Sequence, residues 1–132
     1  MRIYLTHCSK DKLPEAKASG EKLPPDLLYT DASLQEFISK CKSTGAAWAI
    51  LSDKYGVFLP DENHEYYEKP PASVTAEEEN AIRNQFDQRL EHYEEIWFYV
   101  RQTTFHHLYE RILMRSVLSN RIHLFSDLGE VN

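Results

Sequence analysis

The sequence predicts an α/β fold: a three-layer sandwich in which a mostly parallel sheet of about four strands carries helices on both faces. Three observations lead there. Short runs rich in β-branched and aromatic residues, at 2–8, 46–52, 95–100 and 121–126, have the length of strands. Segments with apolar residues at helical spacing lie between them. Strands alternating with helices call for crossover connections, which join parallel strands and cover both faces of a sheet.

Residues 2–8 (Arg-Ile-Tyr-Leu-Thr-His-Cys) make the first strand, ended by a polar cluster. Residues 9–28 are a long connection punctuated by Pro14, Gly20, Pro24 and Pro25, of a length that is often functional or mobile. Ser33 with Glu36 reads as a capping box opening a helix whose apolar face is Leu34, Phe37, Ile38 and Cys41. Gly45 suits a left-handed C-terminal cap. The second strand, 46–52, runs out into a polar loop, Ser52-Asp53-Lys54-Tyr55-Gly56. Residues 57–73 read as an irregular lobe with a short extended piece near Val57, inside a single domain spanning 1–132. Thr75 with Glu78 is a second capping box, and Glu77, Glu78 and Glu79 suit the positive end of the helix dipole. Ile82, Phe86, Leu90 and Tyr93 give this longest helix its buried stripe. After the strand at 95–100, Thr104 is placed to cap a helix facing inward with Phe105, Leu108, Ile112 and Leu113. The last strand is 121–126.

A chain of 132 residues can bury a core without a metal or disulfide staple. Its two cysteines, Cys8 and Cys41, have no C-x-x-C spacing, so neither a zinc site nor a disulfide is expected. No apolar run reaches about 18 residues and no signal-type segment opens the chain, which places it in the cytoplasm rather than at a membrane. Net charge is −6, and residues 61–79 account for it, with seven acids against Lys69. Such a surface disfavours nonspecific contact with nucleic acid but is compatible with a small anion in a locally basic pocket. Neither a G-x-G-x-x-G nor a G-x-x-x-x-G-K-[ST] segment occurs, so no dinucleotide or Walker-type cofactor is expected. His106 and His107 lack an H-E-x-x-H frame, and no metal site is expected.

Ligands of open α/β sheets collect beyond the carboxyl ends of the strands. Those ends carry Cys8-Ser9-Lys10, Ser52 to Gly56, Arg101-Gln102 and Ser126-Asp127. Lys10 and Lys54 are either an anion clamp or solvated lysines. Gly56 suits a positive φ, and Tyr55 either faces a ligand or packs under the lobe. Cys8 is either a nucleophile or a small buried hydrophobe, and His7 next to it points to the opposite face of the strand. Ser9 and Ser52 lack a G-x-S-x-G elbow and suit hydrogen bonding to a ligand. Tyr66 and Tyr67 either cover a planar ligand or anchor the lobe.

Together these segments resemble a family of small uncharacterised bacterial and archaeal proteins with the pattern C-S-x-x-K, L-Y-x-S, I-L-S-A-K-Y-G-L, P-x-D and P-Y. The matching residues are Cys8-Ser9-Lys10 with Lys12, Leu28-Tyr29-Thr30, Ile50 to Val57, Pro60-Asp61, and Tyr66 or Tyr67. The likeness covers about residues 3–68, and L-S-x-K-Y-G is its specific part. A fainter likeness reaches the YaaA-type peroxide-stress family and the accessory domains of some tRNA base-modifying transglycosylases and archaeosine synthases. The resemblance implies an α/β sandwich and marks Cys8, Ser9, Lys12, Tyr29, Ser52, Lys54, Tyr55 and Gly56 as motif positions. It supplies no reaction. Asp53 stands where those relatives have a small residue, and Arg101-Gln102 where they have a small residue or glycine.

The expected function is binding of a small anionic or nucleobase-like molecule at the ends of the first two strands. Lys10, Lys12 and Lys54 supply charge, Ser9 and Ser52 hydrogen bonds, and Tyr55 with Tyr66 or Tyr67 stacking; Tyr29 and Gly56 complete the set. If the domain is an enzyme, the expectation is nucleotide- or nucleobase-directed transfer or hydrolysis, with Lys54 or Tyr55 moving a proton. The alternatives are a protein-interaction module using the acidic 61–79 surface, or an accessory domain of nucleic-acid modification.

Overall fold

A computed structural model describes residues 1–101 and 105–132. It is a mixed α/β structure around one five-stranded, mostly parallel sheet. The strands are β1 (Arg2–His7), β2 (Ala47–Ser52), β3 (Gly56–Phe58), β4 (Glu95–Tyr99) and β5 (Ile122–Phe125), in the order β3-β2-β1-β4-β5. Four strands were expected; the fifth is the short extended piece near Val57, which folds back antiparallel on β2. The parallel pairs are β1 with β2, β1 with β4, and β4 with β5. β1 and β2 are buried along nearly their whole length, as their apolar composition requires of central strands.

The helices are α1 (Pro14–Ser19), α2 (Pro25–Leu28), α3 (Ala32–Thr44), α4 (Ala76–Leu90) and α5 (His107–Arg115). α3 buries Leu34, Phe37, Ile38 and Cys41 against β1 and β2. Its cap differs from the expected one. Asp31 accepts from the Leu34 N–H, and the Ser33 hydroxyl donates to Asp31 rather than starting the helix. Gly45 takes the left-handed C-cap, and Thr75 with Glu78 forms the expected box at the head of α4. α4 packs on β3 and is clasped to α5 by Glu79, which accepts from Arg111 at 2.7 Å and Arg115 at 3.3 Å. The connection expected to lack structure at 9–28 instead holds α1 and α2. A Lys12–Tyr29 bridge closes it on itself, and a Leu23–His64 bridge ties it to the lobe. Thr104, expected to cap the last major helix, lies outside the described residues, as does Gln102; α5 is capped by His106 instead.

Candidate functional site

Two central strands end side by side. Beyond β1 the chain continues as Cys8, whose N–H still donates to the Leu51 carbonyl of β2 at 2.9 Å. Beyond β2 it enters the turn that leads to β3. Ser52 shapes that turn: its Oγ accepts from the N–H groups of both Lys54 (3.1 Å) and Tyr55 (3.0 Å). With its lone pairs so occupied, its proton goes to the Tyr67 hydroxyl 3.0 Å away, and Tyr67 meets Tyr29 at 2.7 Å. Ser52, Tyr29 and Tyr67 are therefore a buried hydrogen-bond chain that fixes the lobe to the sheet.

The same turn sends Asp53 and Lys54 in different directions. Asp53 is only 3% exposed and lies beside Cys8, whose thiol donates to its Oδ1 at 3.5 Å. The Tyr109 hydroxyl of α5 sits 3.3 Å from the Cys8 sulfur. Cys8, Asp53 and Tyr109 line a cavity of about 920 Å³. Its walls are Ser9 to Lys12 on one side, Asp31 and Ala32 at the head of α3, and Tyr66 with Lys69 to Pro71 from the lobe. That size lies within the roughly 300–1,000 Å³ of ligand clefts. Lys12 is half-buried here, its Nζ 4.3 Å from the Tyr67 ring centre and 3.3 Å from the Lys10 carbonyl, to which it donates.

Of the sequence-expected residues, Cys8, Ser9, Lys10, Lys12 and Tyr66 line this cavity. Ser52, Tyr29 and Tyr67 lie behind it as its frame. Lys54, Tyr55 and Gly56 line a smaller hollow of about 260 Å³ against α4, which Asp53 also borders. Lys54 is exposed. The Tyr55 ring is stacked 3.9 Å from His64, and its hydroxyl donates to the Glu65 carbonyl at 3.0 Å. Gly56 has φ 70° and touches Gln85 of α4. Asp53 and Tyr109 are the residues that sequence reasoning missed. Asp53 directly follows a buried strand, which is a usable signal; Tyr109 adjoins the apolar stripe of its helix and gave none.

Burial sets the electrostatics. It raises the Asp53 carboxyl above its ordinary value, while hydrogen bonding from Tyr67 and Cys8 and the charge of Lys12 pull the other way. Burial, then the nearby Asp53, push the Cys8 thiol up, so it is held as a thiol rather than a thiolate. The Tyr109 hydroxyl is raised by burial. Burial lowers the Lys12 ammonium.

Behind Cys8, Arg101 secures the end of β1. Its guanidinium donates to the His7 carbonyl at 2.8 Å, and Nη2 lies between His7 Nδ1 (3.1 Å) and the Cys8 carbonyl (3.3 Å). Burial and this cation lower the His7 pKa to about 4. The ring is neutral when folded and takes a proton below pH 6.5 once unfolded. Stability is therefore fully present above pH 6.5, falls as the pH drops toward 4, and levels off below that. The expected loss is about 3 kcal/mol. Urea unfolding at pH 7.5, 5.5 and 4 measures it, and His7→Gln is expected to flatten that part of the slope.

Four acids of the 61–79 block are paired within the chain: Glu62 with Arg89, Glu68 with Lys17, Glu78 with Lys69, and Glu79 with Arg111 and Arg115. No helix among the described residues is long and apolar enough to cross a membrane. No metal-holding group of three or more His, Cys, Asp or Glu side chains occurs among them.

A family model described as a family of unknown function (DUF6884) matches residues 3–121. No curated protein matches the chain significantly, and neither does any solved structure.

Proposed function

The chain belongs to the DUF6884 family, and because that family's function is unknown we propose one from the site itself: binding of a small anionic, nucleobase- or nucleotide-like molecule in the cavity at the ends of β1 and β2. The observation that carries this reading is a buried carboxyl, Asp53, at the wall of a cavity that also offers Lys10, Lys12 and the Tyr66 ring. A planar polar ring has donors for Asp53, a face for tyrosine, and an anionic group for the lysines at the mouth. If the molecule is turned over, proton transfer falls to Asp53 with Tyr109, the titratable pair beside Cys8, rather than to Lys54 or Tyr55. We also read the helix packing as a three-layer sandwich and the domain as cytoplasmic.

Two other readings have less support. An interaction module using the 61–79 surface would draw on acids of which Glu62, Glu68, Glu78 and Glu79 are already paired internally. A nucleic-acid accessory role, which the fainter YaaA-type and transglycosylase likeness raises, would draw on the basic 9–22 loop, where Lys17 is paired with Glu68. Salt-dependent binding to tRNA would favour it.

Thermal unfolding against a panel of nucleosides and nucleotides tests the leading reading. A true ligand at 100 times its Kd adds about 2.7 kcal/mol to the stability. Lys54→Ala is expected to leave that shift intact and Asp53→Ala to cut it to about 0.4–1.4 kcal/mol at the same ligand concentration. A panel in which nothing raises the wild-type melting temperature defeats the reading.

A further inference from the structure

Lys12 shares with Lys10 and Lys54 the lack of an ion-paired carboxylate among the described residues, but it is half-buried where they are exposed. Lys17, Lys42 and Lys69 each hold a carboxylate within 3.2 Å. Among the described residues no such ion pair involves Lys12. Its ammonium is instead flanked by three aromatic faces, Tyr67 at 4.3 Å, Tyr29 at 5.8 Å and Tyr66 at 5.9 Å. Tyr29 and Tyr67 are buried, so two of these walls are permanent parts of the frame. The stem is held as well, because Lys12 is bridged to Tyr29 and its Nζ donates to the Lys10 carbonyl. The amine therefore projects from a fixed backbone into the wall of the 920 Å³ cavity that Asp53 and Tyr109 also line.

A half-desolvated amine without a carboxylate partner, beside groups able to carry protons, is the arrangement that makes lysine a nucleophile toward carbonyl carbon. We propose that Lys12 forms an imine with a small aldehyde or keto compound bearing an anionic group, bound in this cavity with its anion toward Lys10 at the mouth. The ammonium first gives up a proton. The free amine attacks the carbonyl carbon, a C–N bond forms, and the carbonyl oxygen takes a proton. The carbinolamine then loses water with a second proton. In sum, one ammonium and one carbonyl give one iminium and one water, with no oxidant or reductant. Asp53 and Tyr109 are the cavity-lining groups that relay these protons. Burial lowers the Lys12 pKa, so a larger share of its amine is neutral near pH 7 than for an exposed lysine. The inference uses the same cavity as the ring-binding reading but does not depend on it, since it needs only a carbonyl compound small enough to enter.

The test treats the intact wild-type protein with glyoxylate and cyanoborohydride at pH 7, which fixes any imine as a carboxymethyl-lysine that peptide mass mapping locates. Lys10 and Lys54, both exposed, are internal controls that need no variant. Lys12 is expected to be modified measurably faster than either, because burial lowers its pKa and its ammonium is held at the cavity wall. Lys12→Arg, checked for an unchanged melting temperature, is expected to leave only the slow background. Equal labelling of Lys10, Lys12 and Lys54, or fast labelling that survives Lys12→Arg, overturns the proposal. Failure here with a positive nucleotide panel leaves the ring-binding reading standing, and the reverse outcome leaves the amine chemistry standing.

Discussion

Asp53→Ala is expected to weaken binding of a nucleobase-like ligand by about 10- to 100-fold while leaving the fold intact. A hydrogen bond to a charged group contributes about 1.5–3 kcal/mol, and truncation also strands the ligand's donor in a buried site. Within the chain, the Asp53 carboxylate accepts from the Cys8 thiol at 3.5 Å and from the Tyr67 hydroxyl, and its two oxygens have further acceptor sites for the cavity. Titration calorimetry on wild type and variant measures the difference. A pH series gives a second readout. Burial raises the Asp53 pKa, so an interaction that needs its carboxylate fades, as the pH falls, earlier than it would for an exposed aspartate. The variant is expected to lack that dependence. An affinity equal to wild type in Asp53→Ala would place the ligand elsewhere.

Gly56→Ala is expected to destabilise the protein by about 2–4 kcal/mol. The backbone there has φ 70°, a left-handed conformation that costs a side-chain-bearing residue about 1–2 kcal/mol. A methyl group there would also clash with the Gln85 side-chain amide. Gln85 cannot yield without loss. Its Oε1 accepts from the Val57 N–H at 2.7 Å, and its Nε2 donates to the carbonyls of Tyr55 (3.1 Å) and Val57 (3.3 Å). Each such bond contributes about 0.5–1.5 kcal/mol. Urea denaturation reads the change as a lower midpoint at constant slope. Gly20→Ala is the comparison, since Gly20 shares the positive φ but has nothing within 4 Å of an added methyl. Equal losses at the two positions would show that the α4 contact contributes nothing.

The contrast between Gly56 and Asp53 shows what could be read from the residues. The main strands were legible because Ile, Leu, Trp, Phe and Tyr concentrate in them, and the Thr75–Glu78 cap because its two members serve each other. The α3 cap was misplaced because Ser33 and Glu36 satisfy the same spacing as the residue that does the work, Asp31. α1 and α2 escaped notice because six- and four-residue helices are held by tertiary contacts rather than by periodicity. At the site, strand-end reasoning led to Cys8, Ser9 and Lys10, and the family resemblance to Lys12. It also favoured Lys54 and Tyr55 over Asp53, since these fill the motif. The turn sends these residues to different places. Two N–H groups folding onto Ser52 Oγ turn Lys54 outward and seat Tyr55 on His64, while Asp53 remains buried beside Cys8. That choice depends on hydrogen bonds two and three residues apart, which strand alternation does not describe.

The proposed ligand site lies where β1 and β2 end. Amide chemical-shift mapping during titration with nucleosides and nucleoside monophosphates tests it most directly. Saturable shifts are expected at Cys8, Ser9, Lys12, Asp31, Asp53 and Tyr109, with little change along β5. Saturable shifts confined to the hollow around Lys54 and Gln85, or no shifts from any member of the panel, would contradict it.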